Sequence, residues 1–212
     1  MKSRIDTTLE LLHTASEAAL ATFSVKLPGY PFVSQVAFAL DEHHRPVLLV
    51  SGLAEHSKNL ADNPRGSLLI SRTLADGEIA RVTLTGEIHS FQPEASLIAR
   101  YLRYQPAAER FLQLGDFGFR RFEIHRIYVV GGFGQAGWLE EKRFASLSIV
   151  SSDAEQLLIN SAQQTLPAAV RLLGVDAYGV DILMKMQRMR IALPAGPVTS
   201  ETLLAALHST FH

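Results

Sequence analysis

The sequence contains no cysteine. Disulfides, thiolate nucleophiles and thiolate-ligated metals are therefore excluded, and the composition suits a reducing compartment. It also lacks any apolar run of about 18 residues, the length a membrane-spanning helix requires. The opening, Met1 to Glu10, is polar, and the apolar cluster after it is broken by His13, Ser16 and Glu17, unlike a secretory leader. A cytoplasmic protein with no membrane partner is expected. An excess of either charge is missing as well: 20 Lys and Arg face 21 Asp and Glu, a net −1. Binders of nucleic acid usually carry a basic excess, so no such partner is expected. Several reaction signatures are absent. There is no G-x-S-x-G nucleophile elbow. Gly131-Gly132-Phe133-Gly134 has the wrong spacing and context for a dinucleotide fingerprint. The carboxylates show no metal-loop spacing.

What remains is a chain of 212 residues, 47% apolar and 19% charged, enough for one large domain or a domain with a small appendage. Leu9, Leu12, Ala15 and Ala19 fall at helical spacing and predict a helix over Asp6 to Ala19. Strands are expected at Ala21–Val25, at Phe32–Leu40 (apolar on both faces, hence covered on both), at Val47–Val50 and at Gly66–Arg72. The turn Ala75-Asp76-Gly77-Glu78 leads to a long strand, Ile79–Phe91, with Gly86 as a bulge or close approach. Helices follow at Pro93–Tyr104 and Pro106–Leu114, then a strand at Phe119–Gly131. Beyond Phe144 the pattern changes. A helix from Ser152 or Asp153 to Leu173, stopped by Gly174, precedes a hairpin, Val180–Met184 with Met189–Leu193, and a last helix, Leu203–Phe211. About six strands with few intervening helices predict a mainly β, α+β fold: an antiparallel barrel with peripheral helices and a small helix–hairpin–helix appendage.

One stretch carries the chemistry best. Pro46 to Pro64 reads as a buried strand delivering the chain to a short helix that opens with His56, Ser57, Lys58 and Asn59. Free N–H groups and the positive helix end make such a point an anion site, although a solvated first turn would look the same. Arg81, Thr83 and Thr85 form a polar strip that faces either solvent or a ligand groove. His43 and His44, adjacent on a hairpin, point apart and read as surface. Asp116 reads as a turn residue and Trp138 as an exposed aromatic.

Four motifs in order, G-Y-P-F-V-S-Q-V-A-F-A-L-D, P-V-L-L-V-S-G-L-A-E-H-S-K-N-L-A-D-N-P, R-V-T-L-T-G and G-D-F-G-F-R-R-F-E-I-H-R-I-Y-V-V-G-G-F-G-Q-A-G-W, resemble the flavin-binding split barrels of the pyridoxamine 5′-phosphate oxidase-like superfamily. Their haem-utilisation branch is the nearer likeness, over about Leu11 to Leu139. The tail, Ser152 to His212, resembles that branch's small α+β domain through L-L-G-V-D-x-x-G-V-D at Leu172–Asp181. The resemblance implies a split-barrel domain over 1–145, a second domain over 150–212, and an obligate homodimer with flavin mononucleotide (FMN) at its interface. It implies that the flavin phosphate sits at the helix opening near His56, Ser57, Lys58 and Asn59, with Arg81 and Ser34 also facing the cofactor. The chain departs from the true oxidases: Val33 and Phe38 stand where they carry Arg and Lys, and Ala54, Glu55 and His56 replace their S-R-K. Gln163 replaces the histidine usual in the tail.

Two functions follow from the resemblance. The first is a flavin-dependent oxidoreductase, not a pyridoxamine-phosphate oxidase. The alternative is a protein that binds or degrades haem in the same groove without flavin, with His56, Asp116, His208 and His212 as candidates for the iron or its neighbourhood. A cofactor-free dimer that binds a small anion or a partner is a third.

Overall fold

The computed structural model describes residues 3–74, 77–132 and 136–211. The first helix, α1 (Arg4–Thr14), is fixed by a capping box. The Ser3 hydroxyl accepts from the Asp6 N–H while the Asp6 carboxylate accepts from the Ser3 N–H. Leu9, Leu11 and Leu12 on α1 enter the core. The helix stops at Thr14, five residues short of the expected end, and Glu17–Phe23 is strand β1. Its burial alternates through Ala18, Leu20 and Thr22, and it pairs with a strand on each side. Pairing on both edges outweighs the weak helix preference of this alanine-rich stretch.

The other strands of the main sheet are β2 (Pro31–Ala37), β3 (Ala39–Leu40), β4 (Pro46–Ser51), β5 (Arg65–Thr73), β6 (Ile79–Ser90), β7 (Phe117–Val130) and β8 (Ala136–Leu139). The order is β2-β1-β5-β6-β7-β4-β3, with β8 beside β7, and every neighbouring pair is antiparallel. The fold is therefore mainly antiparallel β with helices, as expected. The chain predicted as one strand from Phe32 to Leu40 is split at Phe38 into β2 and β3. Its outer face is not covered by this chain: Val33 is 61% exposed. The long strand β7 holds β6 along one edge and β4, then β8, along the other, which curls the sheet around α1.

The inner faces of these strands supply Leu20, Phe38, Leu68, Val82, Leu84, Ile88, Phe122 and Ile127 to one core with α1. The bulge expected at Gly86 is present. Thr85 pairs with Arg126 and Gly86 with Ile124, so His125 is the extra residue of β7. Only hydrogen fits at Gly86, because a Cβ there would lie 1.9 Å from the Glu123 carbonyl oxygen. The turn at Ala75 and Asp76 lies outside the described residues, as do Phe133 and Gly134.

Helices α3 (Ala95–Tyr104) and α4 (Glu109–Leu112) connect β6 to β7, and α5 (Glu141–Ala145) follows β8. The remaining elements are α6 (Ser152–Gln163), β9 (Val170–Asp176), β10 (Gly179–Met184), β11 (Gln187–Ala192) and α7 (Ser200–Phe211). The helix predicted to reach Leu173 ends at Gln163, and its supposed last turns are strand β9. Two features end it. Pro167, which has no N–H, lies in the turn, its carbonyl accepting from the Val170 N–H. The Gln163 side chain accepts from the Leu172 N–H and donates to the Val170 carbonyl, acting as a short strand partner. The sheet β11-β10-β9 with α6 and α7 has its own core, centred on Val175, Val180, Ile182 and Leu203.

A polar seam joins this sheet to the barrel. Buried Glu155 on α6 pairs with Arg100 and Arg103 on α3. Oδ2 of buried Asp181 on β10 accepts from the Tyr104 hydroxyl at 2.5 Å and lies 2.6 Å from His13 Nδ1, while Oδ1 accepts from Arg190 at 2.7 Å. His44, expected at the surface, is buried here, 3.0 Å from His13 Nε2. A left-handed backbone, φ 59°, turns its ring inward while His43 remains exposed.

Replacing Gly86 by Ala is expected to lower stability by about 3 kcal/mol or slightly more, at the upper end of overpacking costs, because its obstacle is backbone. Gly115→Ala, where a Cβ meets nothing within 4 Å, is the control. Urea midpoints of the two variants check this.

Candidate functional site

The β4–α2 corner is built as the sequence suggests. The apolar run of β4 is buried up to Val50, and Ser51 and Gly52 turn the chain. The Gly52 N–H donates to the Asp116 carbonyl at 2.6 Å, and the Ser51 hydroxyl donates to the Asp116 carboxylate at 2.5 Å. Helix α2 (Glu55–Asp62) follows, with Ala54 as an N-cap that offers no side-chain oxygen. Its opening N–H groups therefore keep capacity for an outside acceptor. Asn63 and Pro64 close the helix.

The residues predicted at this helix play unequal parts. His56 is half-buried, with Nδ1 3.0 Å from the Ser34 hydroxyl of β2 and Nε2 buried without a partner. Burial, and secondarily the Arg120 charge, lower its pKa, so the ring is neutral at neutral pH. Ser57 is buried, and its hydroxyl has no partner. Lys58 is exposed, 4.0 Å from Glu55, which also pairs with Lys26 at 2.9 Å. Asn59 is turned away from any ligand: fully buried, it accepts from the Val25 N–H and donates to the Thr22 hydroxyl, each at 3.0 Å. It anchors α2 to β1, and its assignment to a cofactor is corrected accordingly.

Arg81 lies elsewhere. It stands opposite Ser71, on the outer face of the sheet, whereas Ser34 stands opposite Leu20, whose side chain points into the core. Ser71 aligns with the Glu17 end of β1 and Asn59 holds α2 at the Thr22 end, about 17 Å away along the strand. One protomer does not bring Arg81 to the α2 start. Asp116 stands at the β4–α2 corner, as described. His208 is exposed on α7, which packs on α6 and β11, and His212 lies outside the described residues.

Two hollows meet these residues. A cleft of about 310 Å³ reaches Gly52, Ser57, Phe91 and Arg120. Arg120 is half-buried, 3.5 Å from the Ser57 carbonyl, and burial lowers its pKa. Sequence reasoning missed this arginine. Its signal was available: Arg120-Arg121 breaks the aromatic opening of β7, Phe117 to Phe122. A larger groove, about 610 Å³, runs between the end of α1 and the outer face of β2, β1 and β5. Leu11, Val33 and Leu69 give it apolar walls, Ser34 borders it, and Arg72 and Ser71 lie on the side toward Arg81. Ser34 thus touches both the groove and His56.

The family model for the CREG β-barrel matches residues 2–146. The chain belongs to that family. That membership fits the haem-utilisation branch of the split-barrel superfamily, which the sequence motifs resemble. It is 41% identical over 119 residues to the chloroplastic non-canonical heme oxygenase HOZ of Arabidopsis thaliana, which covers 55% of this chain but only 37% of HOZ. Among solved structures, the protein Atu2129 of Agrobacterium tumefaciens, of unknown function, superimposes with a TM-score of 0.76 at 20% identity, covering 100% of this chain and 98% of Atu2129. A heme-binding protein from Mycobacterium smegmatis gives 0.66 at 24% identity, covering 99% of this chain and 96% of that one. Identities this low establish the shared fold alone. Among the described residues no helix is long and apolar enough to cross a membrane.

Asn59→Ala strands the buried Thr22 hydroxyl and frees the Val25 N–H, and is expected to cost about 1–3 kcal/mol, whereas Lys58→Ala is expected to stay within about 0.5 kcal/mol of the parent. Chemical denaturation of both variants checks the assignment of Asn59 to the fold.

Proposed function

We propose that this protein binds haem and takes part in its breakdown, using the groove between α1 and the outer face of β2, β1 and β5. The 41% identity to a heme oxygenase is the observation that carries the reading. The groove supports it. Its volume falls within the range of about 300–1,000 Å³ typical of small-molecule sites. Val33 and Leu69 offer apolar surface to a macrocycle, and the cations Arg72 and Arg81 lie on one side for its carboxylates. His56, a neutral imidazole with an unengaged buried nitrogen, does not line the groove itself and meets it through Ser34. Bound haem would supply the redox and oxygen chemistry. The chain's own part is to hold the ring, keep His56 oriented through Ser34 and exclude water.

A homodimer belongs to the proposal. The outer sheet face exposes the apolar side chains Val33, Leu69 and Trp138, which a second copy would cover. A second copy on this face would close the groove and bring further cations to it. Within the proposal, residues 150–212 form the small second domain, docked through the polar seam.

Flavin mononucleotide is the second reading. The observation favouring it is the α2 start, where Ser57 Oγ is buried without a partner next to the Arg120 cleft, suiting a phosphate. The absorbance spectrum of untreated protein separates the readings. Haemin titration is expected to give a saturable, shifted Soret band that His56→Ala weakens or displaces. A haemin spectrum unchanged by the protein overturns the haem reading, and a flavin band in the untreated protein turns it to the second.

A further inference from the structure

The polar seam contains a second constellation, away from the groove. His13 on α1, His44 in the β3–β4 turn and Asp176 at the end of β9 converge from three separate segments, all buried. One nitrogen or oxygen from each lies within 4.8 Å of those of the other two. His13 Nε2 is 3.0 Å from His44 Nδ1 and 3.4 Å from Asp176 Oδ2. Ligand atoms held about 2.0–2.2 Å from a tetrahedral metal stand roughly 3.3–3.5 Å apart, so both spacings lie within a few tenths of an ångström of an occupied site.

The protonation pattern points the same way. His13 Nδ1 donates to Asp181 Oδ2 at 2.6 Å, the carboxylate–histidine arrangement that orients a metal-bound ring. That tautomer leaves a lone pair on Nε2, aimed at the Asp176 carboxylate. Something positive belongs between them. A proton on Nε2 serves either His44 or Asp176, whereas a metal ion serves both. Arg190 grips Asp176 and Asp181 from the other side. A cleft of about 260 Å³ bordered by His44 and Phe144 gives an entry path.

We propose that His13 Nε2, His44 Nδ1 and Asp176 Oδ2 form a binding site for a divalent transition metal, zinc by ligand type, with water as fourth ligand. The site is structural. It staples α1 and the β3–β4 turn to the C-terminal sheet and is separate from the proposed haem groove.

The test uses untagged full-length protein stripped with a chelator, then titrated with cobalt(II) and zinc(II). One equivalent of cobalt is expected to give the intense visible bands of a tetrahedral site, zinc is expected to displace them, and zinc should raise the thermal midpoint. His44→Ala and, separately, Asp176→Asn should remove the bands, and Asp181→Asn should weaken zinc by about 10–100-fold. His89→Ala, an exposed histidine beside Glu87, should leave them intact. Wild-type protein that shows neither cobalt bands nor a zinc-dependent midpoint overturns the proposal whatever the variants do, and assigns the space between His13 and Asp176 to a proton.

Discussion

Buried charge has to be paired, and that constraint organises this molecule. Glu155 cannot be desolvated without Arg100 and Arg103, nor Asp181 without Arg190 and the His13 ring. The partners come from different segments, so the charges are satisfied in one relative placement of α3, α6, α1 and β10. Helix α3 makes this possible through spacing. Arg100, Arg103 and Tyr104 in R-Y-L-R-Y fall at i, i+3 and i+4 and share one face toward the C-terminal sheet, while Leu97 and Tyr101 enter the apolar layer beside it. Such a seam adds little stability over an apolar contact of the same size. Its effect here is to make sliding or tilting costly, because any misplacement strands a charge.

The seam also decides which face of the sheet remains free. The inner strand faces, with α1 across them, are filled by Leu, Val, Ile and Phe. The C-terminal sheet occupies the end where α1, α3 and the β3–β4 turn meet. The outer face of β2, β1, β5 and β6 is what is left, and the 610 Å³ groove lies on it. Fold and groove are thus connected by exclusion. The side chains that would otherwise seal this face, Val33 and Leu69, are apolar but uncovered.

The barrel was legible because it obeys simple periods. β6 alternates buried and exposed from Ala80 to Ile88, and its bulge was marked by a glycine in an otherwise unbroken strand. The failures lie where tertiary partners outweigh local pattern. Glu17 to Ala19 reads as helix until strands on both sides are known. Val170 to Leu173 reads as helix until the Gln163 side chain and Pro167 are placed. His44 is the sharpest case. In a D-E-H-H-R turn a histidine is expected in solvent, and only the left-handed backbone at that residue turns it into the seam. At the site, Ser34 with His56 was legible through the family motifs. Asn59 and Arg120 were not, since which of several polar residues faces a ligand depends on helix rotation and strand register that no linear spacing reveals.

The departures from the oxidase pattern make physical sense together. A phosphate dianion needs fixed positive charge near the α2 start, yet Glu55 occupies the first turn and draws both Lys26 and Lys58 to itself. Arg120, from β7, places a guanidinium beside Ser57. His56, meanwhile, is kept neutral by burial and oriented by Ser34. Neutrality is a defect in a phosphate anchor and a requirement in a ligand for iron. A neutral, oriented imidazole in place of a cationic pair therefore suits a flavin phosphate poorly, and within the proposed function it favours the haem reading.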